Sequence, residues 1–192
     1  MFEDVYSRKI VGWQIHEEET MELAASLFKA ICAKLNLDPT GLVLHSDNGG
    51  PMKGSTMLAT LQRLGVTPSF SRPHVSDDNA YSESLFRTLK YRPEYPSEVF
   101  SSIEHARAWT AFFVNWYNTE HRHSAIRFVT PEERHEGRDK DILAKRHRVY
   151  QLARAKNPTR WSAQTRNWEP VETVTLNPER TKKESSSHDQ AA

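Results

Sequence analysis

At 192 residues, with 37% hydrophobic and 27% charged residues and a formal net charge of +1, the chain is long enough to bury a core and polar enough to be globular. A single cysteine, Cys32, excludes an internal disulfide framework. No apolar run approaches membrane-spanning length and the N-terminus has no secretory pattern, so a reducing cytoplasm and no membrane partner are expected.

Ile10 to Ile15, rich in β-branched and aromatic residues, reads as a strand. Glu17-Glu18-Glu19-Thr20 leads into a helix with Leu23, Leu27, Phe28, Ile31 and Leu35 on one face and Cys32 buried. After Pro39 and Gly41 comes Leu42-Val43-Leu44, a short buried strand. Ser55 to Leu64 is a second helix, with Met57, Leu58, Leu61 and Leu64 inward and Gly65 as its stop. Val66 to Phe70 is a strand that Pro68 assigns to an edge or an end. Alternating strands and helices indicate an α/β layer architecture.

Farther on, Asp77 or Asp78 can cap a helix carrying Glu83, Arg87 and Lys90 on one face. Ser101-Ser102-Ile103-Glu104 reads as a capping box opening a helix whose Trp109, Phe112, Phe113 and Trp116 recur at core spacing. From about Arg134 to Arg160 the composition turns basic, a pattern that suits a solvated helix face or phosphate contact. Trp161, Trp168, Val171, Val174 and Leu176 suggest a small strand-rich appendage that folds back. From Pro178 to Ala192 polar residues without apolar anchors imply disorder.

The chemistry concentrates between His45 and Lys90. Asn48-Gly49-Gly50 is turn chemistry directly after a strand, which puts Asp47 at the end of that strand. A strand-end aspartate and a helical glutamate with cations beside it suit a hard divalent metal and a phosphate backbone. Taken singly, Asp47 reads as a turn residue and Glu83 as a solvated partner of Arg87. His45 and His74 match no zinc spacing and are structural or DNA-facing. The Asn118-to-Ser124 loop either lies near DNA or caps a helix.

At these residues the chain resembles the DDE transposases and integrases with a ribonuclease-H-like core, most closely the transposases encoded by the second reading frame of bacterial insertion sequences (the OrfB type). The matching pieces are Asp4 through Trp13, His45-Ser46-Asp47-Asn48-Gly49, Asp78-Asn79-Ala80 with Glu83 to Lys90, and Asn115-Trp116-Tyr117-Asn118 with His123-Ser124 and Thr130-Pro131. With 35 residues between Asp47 and Glu83, and Lys90 seven beyond the glutamate, they match the last three parts of the family's D,D(35)E signature with its following basic residue.

The resemblance implies a partial integrase catalytic core over residues 1–135, and composition adds a helical, basic C-terminal extension over 136–177 and a disordered tail over 178–192. Its first strand and most of its second are expected to be missing, because Met1 falls after the family's first catalytic aspartate. Asp4 matches a non-catalytic family position. In an intact member three carboxylates hold two Mg²⁺ (or Mn²⁺) ions for cleavage of the donor end and attack of its 3′-hydroxyl on target DNA. Here Asp47 and Glu83 are the implied catalytic and metal-binding residues. Lys90, Arg87, Lys145, Arg146 and Arg148 are the implied DNA contacts. Without the first aspartate the chain alone is expected to be inactive, its Ile10–Ile15 and Leu42–Leu44 strands separated and their edges unpaired. The alternative is a non-catalytic DNA-binding or interaction module that modulates transposition by occupying DNA ends, pairing with intact transposase or associating with itself.

Overall fold

The computed structural model describes residues 1–72 and 75–176, without the side chains of Ser76 and Asp77. His74 and the expected disordered tail lie outside the described residues. The architecture is α/β, as the alternating pattern implies.

The chain opens with a hairpin of β1 (Phe2–Glu3) and β2 (Ile10–Gly12), antiparallel and irregular in register between Phe2 and Glu3. Helix α1 (Met21–Lys34) follows, its N-terminus capped by Thr20, whose hydroxyl accepts from the Leu23 N–H. Next come β3 (Val43–Ser46), the short α2 (Gly50–Lys53), α3 (Ser55–Arg63) and β4 (Thr67–Phe70). Strands β3 and β4 pair in parallel, Val43 opposite Thr67 through Ser46 opposite Phe70. A 3₁₀ turn (Ser76–Asn79) leads into α4 (Ala80–Lys90), followed by α5 (Ile103–Thr119), α6 (Pro131–His135) and α7 (Asp139–Lys156).

Among the described residues the strands form two separate two-stranded sheets, so β2 and β3 share no ladder. Each sheet is held by helices instead. Ala25, Phe28 and Cys32 of α1 pack on Met57 and Leu61 of α3 and on Val66. A second core joins Ile10 of the hairpin to Leu85 and Leu89 of α4 and to Phe113, Val114 and Tyr117 of α5. The buried stripe of α1 is thus rotated from the expected one, leaving Leu35 39% exposed at the helix end. Gly65 ends α3 as expected: its φ is +68°, its N–H reaches Gln62 O, and the Val66 N–H reaches Leu61 O, which together form a Schellman stop.

Three further expectations are corrected. Helix α5 begins at Ile103, capped by Ser102 through the His105 N–H, so Glu104 falls one position short of closing a capping box. A complete box occurs at Thr130 and Glu133 instead, opening α6. Phe112 is 49% exposed, because the core side of α5 follows Phe113 and Tyr117. The segment from Trp161 to Leu176 folds back but contains no strand. Its carbonyls are met by side chains: Arg127 Nε donates to Glu169 O (3.3 Å), Arg134 Nη2 to Val171 O (2.6 Å) and Tyr81 Oη to Thr175 O (3.1 Å). With those acceptors satisfied no sheet partner is needed, and Trp168 drops into a third core with Ile126, Val129 and Leu143.

The hairpin is anchored to the helices by polar contacts. Asn118 Oδ1 accepts from the Ile10 N–H (2.9 Å) and its Nδ2 donates to Ile10 O (3.0 Å), so a side-chain amide replaces a neighbouring strand. Lys9 pairs with Glu132 at 3.2 Å, and His135 Nδ1 lies 3.1 Å from both Asp4 Oδ2 and Ser7 Oγ. That Asp-Ser-His trio closes the hairpin turn; Ser7 is fully buried, out of reach of any substrate. Asn118→Ala leaves both polar groups of a buried strand residue unpaired and is expected to cost about 1–3 kcal/mol of stability, measured by urea unfolding. A loss below about 0.5 kcal/mol would show that the amide clamp is not structural.

Candidate active site

The site forms where β3 runs out. Asp47 follows the last residue of β3 and is exposed, its Oδ1 accepting from the Gly49 N–H at 3.0 Å, while Gly50 starts α2 and turns the chain away. Asn48 Nδ2 donates to Ser71 O (2.9 Å) and the Ser71 N–H to Ser46 O (3.0 Å), tying this turn to the exit of β4.

The other half comes from α4, brought alongside by two links. His45 Nε2 lies 2.9 Å from Asp78 O and Nδ1 lies 3.0 Å from Ser69 Oγ. A carbonyl can only accept, so Nε2 carries a proton, and in the neutral ring Nδ1 accepts from the serine hydroxyl. His45 is therefore the tie between β3 and the turn that opens α4. Asp78 forms the second link: Oδ2 accepts from the Arg72 N–H (2.8 Å) and Nε (2.9 Å), and Oδ1 from Nη2 (2.9 Å). This use corrects the expected helix cap. The residue before α4 is Asn79, which makes no side-chain cap bond, because Asp78 is buried on its arginine.

Held this way, α4 buries Leu85 and Leu89 and turns Glu83, Arg87 and Lys90 to solvent. Asp47, Glu83, Arg87 and Lys90 line one cleft of about 930 Å³, walled by β1, β3, α1 and α4. Asp47 and Glu83 also share a smaller recess of about 450 Å³ with Asn48, Asn79 and Arg72. Among the described residues no group of three or more His, Cys, Asp or Glu side chains is disposed to hold a metal. The chain supplies two oxygen donors in a common cleft, a set that fits a hydrated hard cation shared with a phosphate.

The basic segment divides. Lys145 and Arg148 are exposed on α7. Arg146 turns inward, Nη1 donating to Arg127 O and Phe128 O at 3.0 Å with its guanidinium 5.5 Å from the Trp168 ring; burial holds its pKa below the ordinary value. Arg134 is buried against the Tyr6 ring at 4.1 Å. In the Asn118-to-Ser124 loop, His123 Nδ1 accepts from the Ala125 N–H (3.2 Å), capping the 3₁₀ turn Ser124–Ile126. That geometry supports the capping reading of the loop.

Two features had only faint sequence signals. Phe86 and Tyr91 stand exposed in the cleft, interleaved with its cations. Glu3 lines the cleft from the hairpin, its Oε2 shut from solvent without a hydrogen-bond partner among the described residues. Burial pushes its carboxyl up to about 8, against the opposing pull of Arg8 and with a smaller push from Asp4. Burial, with Arg8 and His121 beside it, lowers His123 to about 4.

These shifts set opposite pH dependences. Glu3 keeps its proton in the fold while the unfolded chain loses it near 4.5, so its stabilising contribution is complete below that value and lost as pH rises to about 8. His123 contributes above its ordinary 6.5, and that contribution is lost as pH falls to about 4. Glu3→Gln is therefore expected to flatten the stability loss between pH 6.5 and 8, measured by urea midpoints; an unchanged slope would place the carboxyl in water. His45→Leu is expected to raise amide exchange across residues 78–83 by about tenfold, with α1 and α3 unaffected, for loss of roughly one hydrogen bond. Unchanged exchange would show that α4 is positioned without the imidazole.

Comparison with known proteins shows the family. Two family profiles described as Integrase core domain match residues 2–76 and 64–131. The transposase for insertion sequence element IS904 of Lactococcus lactis subsp. lactis (strain IL1403) is 33% identical over 140 residues, which cover 68% of this chain and 51% of that protein. Transposase InsF for insertion sequence IS3A of Escherichia coli (strain K12) is 30% identical over 131 residues, 68% of this chain and 45% of that protein. The chain thus spans about half the length of the curated relatives it matches. The catalytic core domain of BIV integrase is 25% identical and covers 71% of this chain and 80% of that one, with a TM-score of 0.44, a superposition too loose to place any residue here.

Proposed function

We propose that this chain, which carries an integrase core of the bacterial insertion-sequence transposase kind, contributes two of the carboxylates and the phosphate-holding cations of a metal-dependent DNA strand-transfer site. The observation that carries the reading is the single cleft in which Asp47 and Glu83 meet Arg87 and Lys90. Asp47 and Glu83 would hold the divalent cation, Mg²⁺ or Mn²⁺, through hard oxygen donors. Bound there, such an ion supplies Lewis acidity toward a phosphoryl oxygen.

The protein's own groups define the rest. Lys90, a point charge, holds the phosphate next to the scissile one, and the Arg87 fork takes two of its oxygens. Both project from the helix that bears Glu83, so phosphate and carboxylate keep a fixed relation. Lys145 and Arg148 extend the phosphate track along α7, whereas Arg146 braces that helix from within. Among the described residues no third ligand joins Asp47 and Glu83 in a metal-holding group, and on this reading the chain by itself is inactive in donor-end cleavage and strand transfer.

Binding of Mn²⁺, followed by electron paramagnetic resonance, tests the site. Asp47→Asn and Glu83→Gln, both at exposed positions, are expected to weaken Mn²⁺ affinity at least tenfold while the thermal midpoint stays put. Equal affinity in wild type and variants would sink the two-carboxylate site. The absence of a three-ligand cluster among the described residues favours a second reading, a DNA-binding module without catalysis that modulates transposition. Under it, DNA binding persists in chelator and falls steeply with salt, with no dependence on Asp47.

A further inference from the structure

The exposed face of α4 carries more than charge. Leu85 and Leu89 satisfy the core, yet the same helix places Phe86 45% exposed and Tyr91, its C-terminal cap, 79% exposed. One exposed aromatic side chain is ordinary on a protein surface. Here two rings lie within six residues and flank two cations, Arg87 and Lys90. Phe86 neighbours Glu83 three residues before it and Lys90 four residues after it on the helix surface. The Arg87 guanidinium carbon stands 5.7 Å from the Tyr91 ring centroid. All five side chains line the cleft that holds Asp47.

We propose that Phe86 and Tyr91 form a stacking platform for an unpaired nucleotide at a DNA end, beside the carboxylate pair. This rests on the reading of the cleft as a DNA site. Aromatic faces interleaved with cations are the chemistry that binds single strands: the rings take base faces and the cations take the intervening phosphates. A ring accepts a base by its face: inside a duplex both faces are already stacked and a flush end offers only the outer face of its last pair, whereas a nucleotide freed from its pair offers both faces to two rings. Charge complementarity decides against an apolar protein partner, since Glu83, Arg87 and Lys90 around Phe86 would each need a matching counter-charge in a dry interface.

The test compares a flush-ended duplex with one carrying two mismatched terminal pairs and 2-aminopurine at the last position, titrated with the full chain in chelator by anisotropy and fluorescence. Wild-type protein is expected to bind the frayed end more tightly and to quench 2-aminopurine. Phe86→Ala and Tyr91→Ala should each reduce frayed-end affinity by roughly 5- to 100-fold, the range for one stacked base, and leave flush-end affinity unchanged. Tyr91→Phe, which keeps the ring, should retain the preference. If DNA is bound but neither alanine variant alters the preference or the quenching, the platform is wrong and the DNA site stands. If neither duplex is bound by any variant, the DNA reading fails and the platform with it. If Phe86→Ala instead dissociates a self-associated species in sedimentation, the ring is a protein contact and the proposal is overturned.

Discussion

The structure depends on how backbone groups at the edges of short strands are satisfied. Among the described residues each strand pairs on one side only, in two sheets that share no ladder. A buried N–H or C=O without a partner costs about as much as a lost hydrogen bond, so side chains must complete what a wider sheet would supply. Asn118 does this for Ile10, using both ends of its amide on one residue of the hairpin. Around that contact the core of Leu85, Phe113 and Tyr117 can close, linking the hairpin to α4 and α5.

The same logic carries to the cleft. His45 spends both ring nitrogens on holding β3, β4 and the turn before α4 together. Asp78, which the sequence offers as a helix cap, is consumed on Arg72 instead. These links are local and polar, and among the described residues they leave Asp47 and Glu83 outside any ion pair. A carboxylate pair that is exposed and not neutralised by a fixed salt bridge is able to exchange water for a cation and a phosphate. Arginines show the complementary division: Arg134 and Arg146 are turned inward onto carbonyls and rings, while Arg87, Lys90, Lys145 and Arg148 face solvent. A formal charge count treats them alike, yet the fold engages the first set and leaves the second exposed.

Glu3 is an instance of a polar group the fold tolerates at a cost. Its buried carboxyl is held protonated near neutrality, and it occupies the wall of the cleft between β1 and β3. Desolvation raises the cost of its charged form, so this part of the wall is kept neutral.

Much was legible in the sequence. Alternating periodicities showed α/β layers, Gly65 marked the end of α3, and the turn residues after Leu44 placed Asp47 at the end of a strand. The spacing from Asp47 to Glu83 and Lys90 carried the family resemblance that the integrase-core matches bear out. These features are local: each depends on the conformational preference of a few adjacent residues, or on helix and strand geometry. What only the tertiary structure decided depends on which groups compete for the same partner. Asp78 could cap a helix or bind an arginine, and burial beside Arg72 chose. Arg146 could stand free of the fold or brace a loop, and the Arg127 and Phe128 carbonyls take its Nη1. The segment after Trp161 could pair as strands or lie as coil, and arginine and tyrosine donors met its carbonyls first. A linear sequence states what each group can bond; only folding states which partner is within reach when water is excluded.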